Sequence, residues 1–174
     1  MATITLTPNG DGALTQNTVV GGVAAYQALQ ANDGTTEFIH SAGAGMWTNL
    51  VTFANPGIPS GSTVASVTVY ALCEYSGSAP GTVYLDVYVG GTKYTSSANS
   101  PVASSWTQYS NTWTVNPYTG VAWTPADVNT GLQIGSDLVG TAKLSTYCTQ
   151  LWATVTYTPP SGSPITCIQM IRLY

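Results

Sequence analysis

The strongest constraint on this chain is a two-residue alternation of side chains in short runs, each cut off by glycine, proline or serine. Across residues 64–75, Val67, Val69, Ala71 and Cys73 fall on one side, and Ser66, Thr68, Tyr70, Leu72 and Glu74 on the other. Across residues 82–89, Val83, Leu85, Val87 and Val89 form the apolar row, with Tyr84, Asp86 and Tyr88 opposite it. A period of two is the signature of a β-strand with one face in a core. Gly77-Ser78-Ala79-Pro80-Gly81 turns between these runs, and Gly90-Gly91 makes a two-residue hairpin into residues 92–96. No segment carries a convincing long helical period. The pattern predicts an all-β fold, an antiparallel sandwich or barrel.

Other runs extend the series. Ile4 and Leu6 alternate with threonines in a first strand, and Pro8-Asn9-Gly10-Asp11-Gly12 reads as a turn. That turn lacks the repeated acids and distal Glu of a calcium loop. Residues 15–31 are open between helix, strand and loop. Residues 37–41 read as a short strand. Trp47, Asn49, Val51 and Phe53 share a face, and residues 55–61 form a rigid connection. Residues 132–134 read as a strand, and residues 142–158 as a long closing strand. Its phase slips near Thr149-Gln150, which predicts a bulge.

Composition narrows the setting. Only 6% of the 174 residues are charged, where roughly 25% is typical. Yet 44% are hydrophobic, with 5 Trp and 11 Tyr, so the chain has ample material for a core. A net charge of −4 with three basic residues leaves no set to neutralise phosphates, which excludes nucleic acid as a partner. No apolar run approaches the roughly 18 residues of a membrane span, and no membrane partner is expected. The first ten residues lack the basic and apolar regions of a secretory signal. Cys73, Cys148 and Cys167 show no metal-ligand spacing, and we read them as reduced core thiols of a protein made in a cytoplasm.

No nucleophile elbow, zinc-protease motif or phosphate loop occurs, so no enzyme activity and no cofactor or metal is expected. His40, the single histidine, reads as structural. Glu74 and Asp86 could form a glycosidase pair, but an antiparallel sheet also needs such residues on its wet face, and that is the reading taken. The aromatics are the stronger signal. Tyr70, Tyr84 and Tyr88 oppose the aliphatic rows, and the opposite parity of Trp106 and Trp113 sends one of them outward. Outer aromatics mean a protein interface, a sugar-stacking platform, or a second layer supplied by residues 15–31.

Residues 104–129, SSWTQYSNTWTVNPYTGVAWTPADVN, hold three of the five tryptophans. Tyr109, Asn111, Trp113 and Val115 share one strand face. Asn116-Pro117 ends the strand, and Thr124-Pro125-Ala126-Asp127 reads as a capped helical turn. The corner is expected to be constructional, with Trp123 as a plug beneath it. Val67, Val69, Val83, Leu85, Val87, Trp113 and Val115 should share one core.

This stretch, with TITLTPNGDG, DGTTEFI and IPSGSTVASVTVYA in the first half, resembles small β-sandwich proteins of tailed-phage virions: capsid decoration (cement) proteins, head fibres and related surface modules. The resemblance spans about residues 3–159. It implies a jelly-roll-like antiparallel β-sandwich of roughly eight strands with a C-terminal extension. It also implies a decoration protein on the capsid surface that bridges major capsid protein subunits as a homotrimer. The alternatives are a head or tail fibre module binding host-surface glycan, or a carbohydrate-binding module. On this reading residues 1–158 form the sandwich, 159–164 a Pro/Gly/Ser linker, and 165–174 an apolar strand or arm. The expected interface comprises Tyr70, Tyr84 and Tyr88, with Ile165, Ile168, Met170, Ile171, Leu173 and Tyr174 of the arm.

Overall fold

The computed structural model describes residues 1–77 and 81–161. The expected interface residues Ile165, Ile168, Met170, Ile171, Leu173 and Tyr174 lie outside the described residues, as does Cys167.

Eleven strands are present among the described residues: β1 (Ala2–Leu6), β2 (Pro8–Thr15), β3 (Thr18–Val20), β4 (Phe38–His40), β5 (Gly45–Phe53), β6 (Thr63–Gly77), β7 (Thr82–Val89), β8 (Thr92–Thr95), β9 (Thr107–Trp113), β10 (Gln133–Gly140) and β11 (Leu144–Thr158). One helix, α1 (Pro125–Thr130), and a 3-10 turn, Gln27–Leu29, complete the set. The strands form two antiparallel sheets packed as a jelly-roll-like sandwich. The first sheet runs β3-β4-β11-β6-β9, with β1 sharing the β4 edge of β11; the second runs β2-β5-β10-β7-β8.

The alternation of the two clearest runs decides this. Val67, Val69, Ala71 and Cys73 from β6 meet Val83, Leu85 and Val87 from β7 in one core, all of them fully buried. Leu151, Ala153 and Val155 of β11 and Ile134 and Leu138 of β10 fill the space between. β6 and β7 therefore belong to different sheets rather than pairing as neighbours in one. Gly90 and Gly91 have φ of +61° and +80°, the positive values a two-residue hairpin demands. The bulge near Thr149 is present: Cys148 pairs with Cys73 and Gln150 with Leu72, leaving Thr149 between them. Its hydroxyl donates to Glu37 O at 3.0 Å. Cys73 and Cys148 are buried and free.

Several expectations change. Residues 8–12 are the start of β2 rather than a turn; β2 is irregular, with Asp11 opposite Val51 and Thr15 already opposite Asn49. Residues 15–31 make no layer over the outer tyrosines. They contribute β3 and the 3-10 turn, which sends Ala25, Ala28 and Leu29 into the core. The short strand expected at 132–134 extends through Gly140. Trp113 lies on the expected face but is only half-buried, because β9 is an edge strand. The ladder stops at Trp113, so Val115 is 46% exposed and outside the core.

The corner after β9 is built as expected. Asn116 is fully buried, its carbonyl accepts from Gly120 N at 2.8 Å, and its N–H donates to Val121 O at 2.8 Å. Trp123 is buried and its indole N–H donates to Trp113 O at 3.0 Å. Thr124 and Asp127 form a reciprocal capping box at the start of α1. Asn129 clamps the backbone of Ile58 from both ends of its amide, at 3.0 and 2.9 Å.

Candidate functional site

The three expected interface tyrosines are not brought together. Tyr70 stands on the outer face of the first sheet, whereas Tyr84 and Tyr88 stand on the outer face of the second. The same division separates Glu74 from Asp86, so no glycosidase pair exists between them. The two outer faces then differ in kind.

The outer face of the second sheet is closed on itself. Asp86, opposite Gly135 and Thr95, is fully buried rather than wet. Asp137 beside it is also fully buried. Lys93 Nζ lies 2.6 Å from both Asp137 oxygens and 3.9 Å from Asp86 Oδ2. Thr48 Oγ1 donates to Asp137 Oδ1 at 2.5 Å. Burial, followed by the neighbouring Asp137 charge, pushes the Asp86 carboxyl up to about 7. Farther along, Ala13 N donates to the Gln133 side chain at 2.8 Å, and Leu50 is fully buried. Tyr84 and Tyr88 flank this covered ionic cluster and are themselves half-buried.

The outer face of the first sheet is open and aromatic. Tyr70 of β6 and Trp152 of β11 are directly opposed and stack with ring centroids 5.1 Å apart and planes 6° apart. Both rings are half-buried. The neighbours on this face carry hydroxyls and amides: Thr68 and Thr154, Ser110 and Thr112 of β9, Gln108 and Gln150. Thr68 and Thr112 hydroxyls meet at 2.9 Å. The bulge at Thr149 has a role here, since the extra residue restores Gln150 and Trp152 to the outer side.

Four residues along β6 from Tyr70, the same face holds a pocket of about 260 Å3 lined by Thr35, Phe38, Glu74, Ser76, Trp106 and Tyr147. Phe38 meets Tyr147 edge to face, at 5.3 Å and 81°. His40 packs behind, 5.8 Å from Tyr147, and its Nδ1 lies 2.9 Å from Ser41 O, in keeping with a structural histidine. Ser76 Oγ and Tyr147 Oη share a hydrogen bond of 2.7 Å. Burial raises the Glu74 carboxyl above its ordinary value.

Trp106 is the outward-facing member of the Trp106/Trp113 pair, as parity requires. A tight turn holds it in place. Ser104 is the one non-glycine residue with positive φ among those described, at 51°. Ser104 N donates to Tyr75 O at 3.1 Å, and Tyr75 N to Val102 O at 3.3 Å, tying this turn to the edge of β6. An outlier of this kind costs about 1–3 kcal/mol and persists only where its surroundings fix it. Phe38, Trp106, Tyr147 and Trp152 were not singled out as a set by sequence. The parity of Trp152 was hidden by the bulge, and Phe38 and Tyr147 meet only through the pairing of β4 with β11.

No family model matches the chain, and no curated protein matches its sequence. Solved structures do resemble it. The carbohydrate-binding module 22-1 and family 10 modules of Clostridium thermocellum xylanase 10B, complexed with xylohexaose, match with a TM-score of 0.52 at 11% identity, over 91% of this chain and 30% of that one. The tandem modules 22-1 and 22-2 of Paenibacillus barcinonensis Xyn10C give 0.48 at 16% identity, over 91% and 47%. A family 35 module from Cellvibrio japonicus Abf62 gives 0.44 at 14%, over 91% and 98%. At these identities the likeness is one of fold.

Proposed function

We propose that this chain is a glycan-binding module that acts through the outer face of its first sheet. The observation that carries the reading is the stacked Tyr70–Trp152 pair set among hydroxyl and amide side chains, on the same face as the aromatic pocket. A sugar ring presents C–H groups on its faces and hydroxyls on its rim. Aromatic rings match the first, and Thr, Ser and Gln side chains match the second. The resemblance of the fold to carbohydrate-binding modules supports the reading at the level of architecture.

The function is binding, not chemistry. Glu74 and Asp86 lie on opposite faces, and the close acids Asp86 and Asp137 are sealed under Lys93. Capsid decoration, expected from the resemblance, has no support among the structural likenesses, and the three tyrosines expected at its contacts are divided between the two outer faces. A virion setting still fits the proposed activity, since a head or tail fibre module that binds host glycan would use this surface.

Titration calorimetry against cello-, xylo-, chitin and chitosan hexaoses tests the proposal. At least one should bind, and Trp152→Ala should weaken it at least about tenfold, the equivalent of 1.4 kcal/mol. Folded wild-type protein that binds none of them, or a Trp152→Ala variant that binds as well as wild type, overturns it.

A further inference from the structure

We propose that the pocket formed by Phe38, Trp106, Tyr147 and Glu74 takes a cationic group: the ammonium of an amino sugar within a glycan. The inference rests on the module reading and narrows its ligand.

The argument begins with charge. The chain has three basic residues against seven acids. Lys93 is committed to Asp137 on the far face of the sandwich. Among the described residues, Glu74 has no ion pair, and no hydrogen bond to its carboxylate is formed. It lies in a pocket whose other walls are three aromatic rings with Thr35 and Ser76. A half-buried carboxylate without a partner loses part of its hydration in the pocket, which disfavours its charged form and raises it. An arriving cation removes that penalty.

The rings add to the attraction. An ammonium within about 6 Å of an aromatic face is drawn to its electron density, and the gain grows as water is excluded. A charge-assisted hydrogen bond to the carboxylate is roughly twice as strong as one from a neutral hydroxyl. Uronic acids, sulfates and phosphates would meet Glu74 as like charges. The neighbouring hydroxyl pair is already engaged internally, Ser76 with Tyr147, and Glu74 is the one charged group in the lining.

The size of the site points to part of a ligand. About 260 Å3 is below the range of about 300–1,000 Å3 typical of whole small-molecule pockets. The walls are also held in place. Gly34, at φ +60°, turns the chain that carries Thr35, and a side chain there would lie 3.9 Å from Trp106 Nε1. The strained Ser104 turn fixes Trp106 from the other side.

The experiment compares chitosan hexaose, N-acetylated chitin hexaose and cellohexaose by titration calorimetry at pH 6. It uses wild type, Glu74→Gln and the control Glu37→Gln, which makes the same charge change at a side chain lying against Gly21. Wild type and the control should bind chitosan hexaose at least about tenfold more tightly than the two neutral oligomers. Glu74→Gln should abolish that preference, and added salt should weaken only the chitosan interaction. Equal affinity for all three oligomers, or a preference that survives Glu74→Gln, overturns the cation assignment and leaves the module reading standing. Failure of folded wild type to bind any of the three oligomers removes the cation assignment, and the module reading falls with it only if xylohexaose also fails to bind.

Discussion

At the scale of single residues, the sandwich shows where one side chain decides more than its type suggests. Trp123 is fully enclosed and its indole N–H is satisfied by Trp113 O, so Trp123→Ala should lower the unfolding free energy by about 3–5 kcal/mol in urea titrations. Trp113→Ala, on an edge strand, should cost roughly 2 kcal/mol. Asp86 makes a pH prediction. Its folded carboxyl titrates near 7 against an ordinary value of 3.8. The folded state thus binds more protons than the unfolded state between those values. Stability from this group is complete below about pH 4 and is lost as pH rises through 7, by roughly 4 kcal/mol in all. Asp86→Asn should flatten denaturation midpoints across that window; a wild-type midpoint that rises from pH 4 to 7 would contradict the sign. The burial of Trp123 was legible in the sequence, but that of Asp86 was not, because Asp86 has the parity of a wet-face residue. Its burial follows from Asp137 and Lys93, which reach it only through strand pairings with β10 and β8.

At the scale of elements, what could be read depended on how local the cause was. The hairpin at Gly90-Gly91, the capping box at Thr124 and the apolar rows of β6 and β7 are written in adjacent residues, and all are present. Sheet membership was not legible. β6 and β7 look like one hairpin by alternation, yet they belong to different sheets, which is why Tyr70 was grouped with Tyr84 and Tyr88. The bulge was visible as a phase slip, but its consequence needed the partner strand: Trp152 lies opposite Tyr70 only because Thr149 is skipped. Deleting Thr149 should therefore leave a regular ladder, with Cys148 opposite Cys73, Gln150 opposite Leu72 and Trp152 still opposite Tyr70. Its signature would be a retained Tyr70–Trp152 near-ultraviolet exciton signal, with a modest fall in thermal midpoint from the lost Thr149–Glu37 hydrogen bond.

At the scale of the whole molecule, β11 ends at Thr158, with Val155 its last fully buried residue and Tyr157 its last residue packed against the core. A chain ending at Ser163 should thus fold with the stability of the full chain, as measured by calorimetry; a truncated chain that is unfolded would show that the apolar tail belongs to the sandwich. The two outer faces differ: one is locked by an internal ion pair, and the other carries the stacked Tyr70–Trp152 pair. On that open face, Tyr70 and Glu74 stand on the same strand four residues apart, a separation of about 13 Å at the usual rise of a strand. The ladder between β6 and β11 makes that distance a fixed ruler. A ligand too short to span it can occupy one station at a time. One long enough gains the second contact as an intramolecular event, at the high effective concentration that tethering confers. Affinity should then climb in a step as oligomer length passes the spacing, and only gently on either side of it.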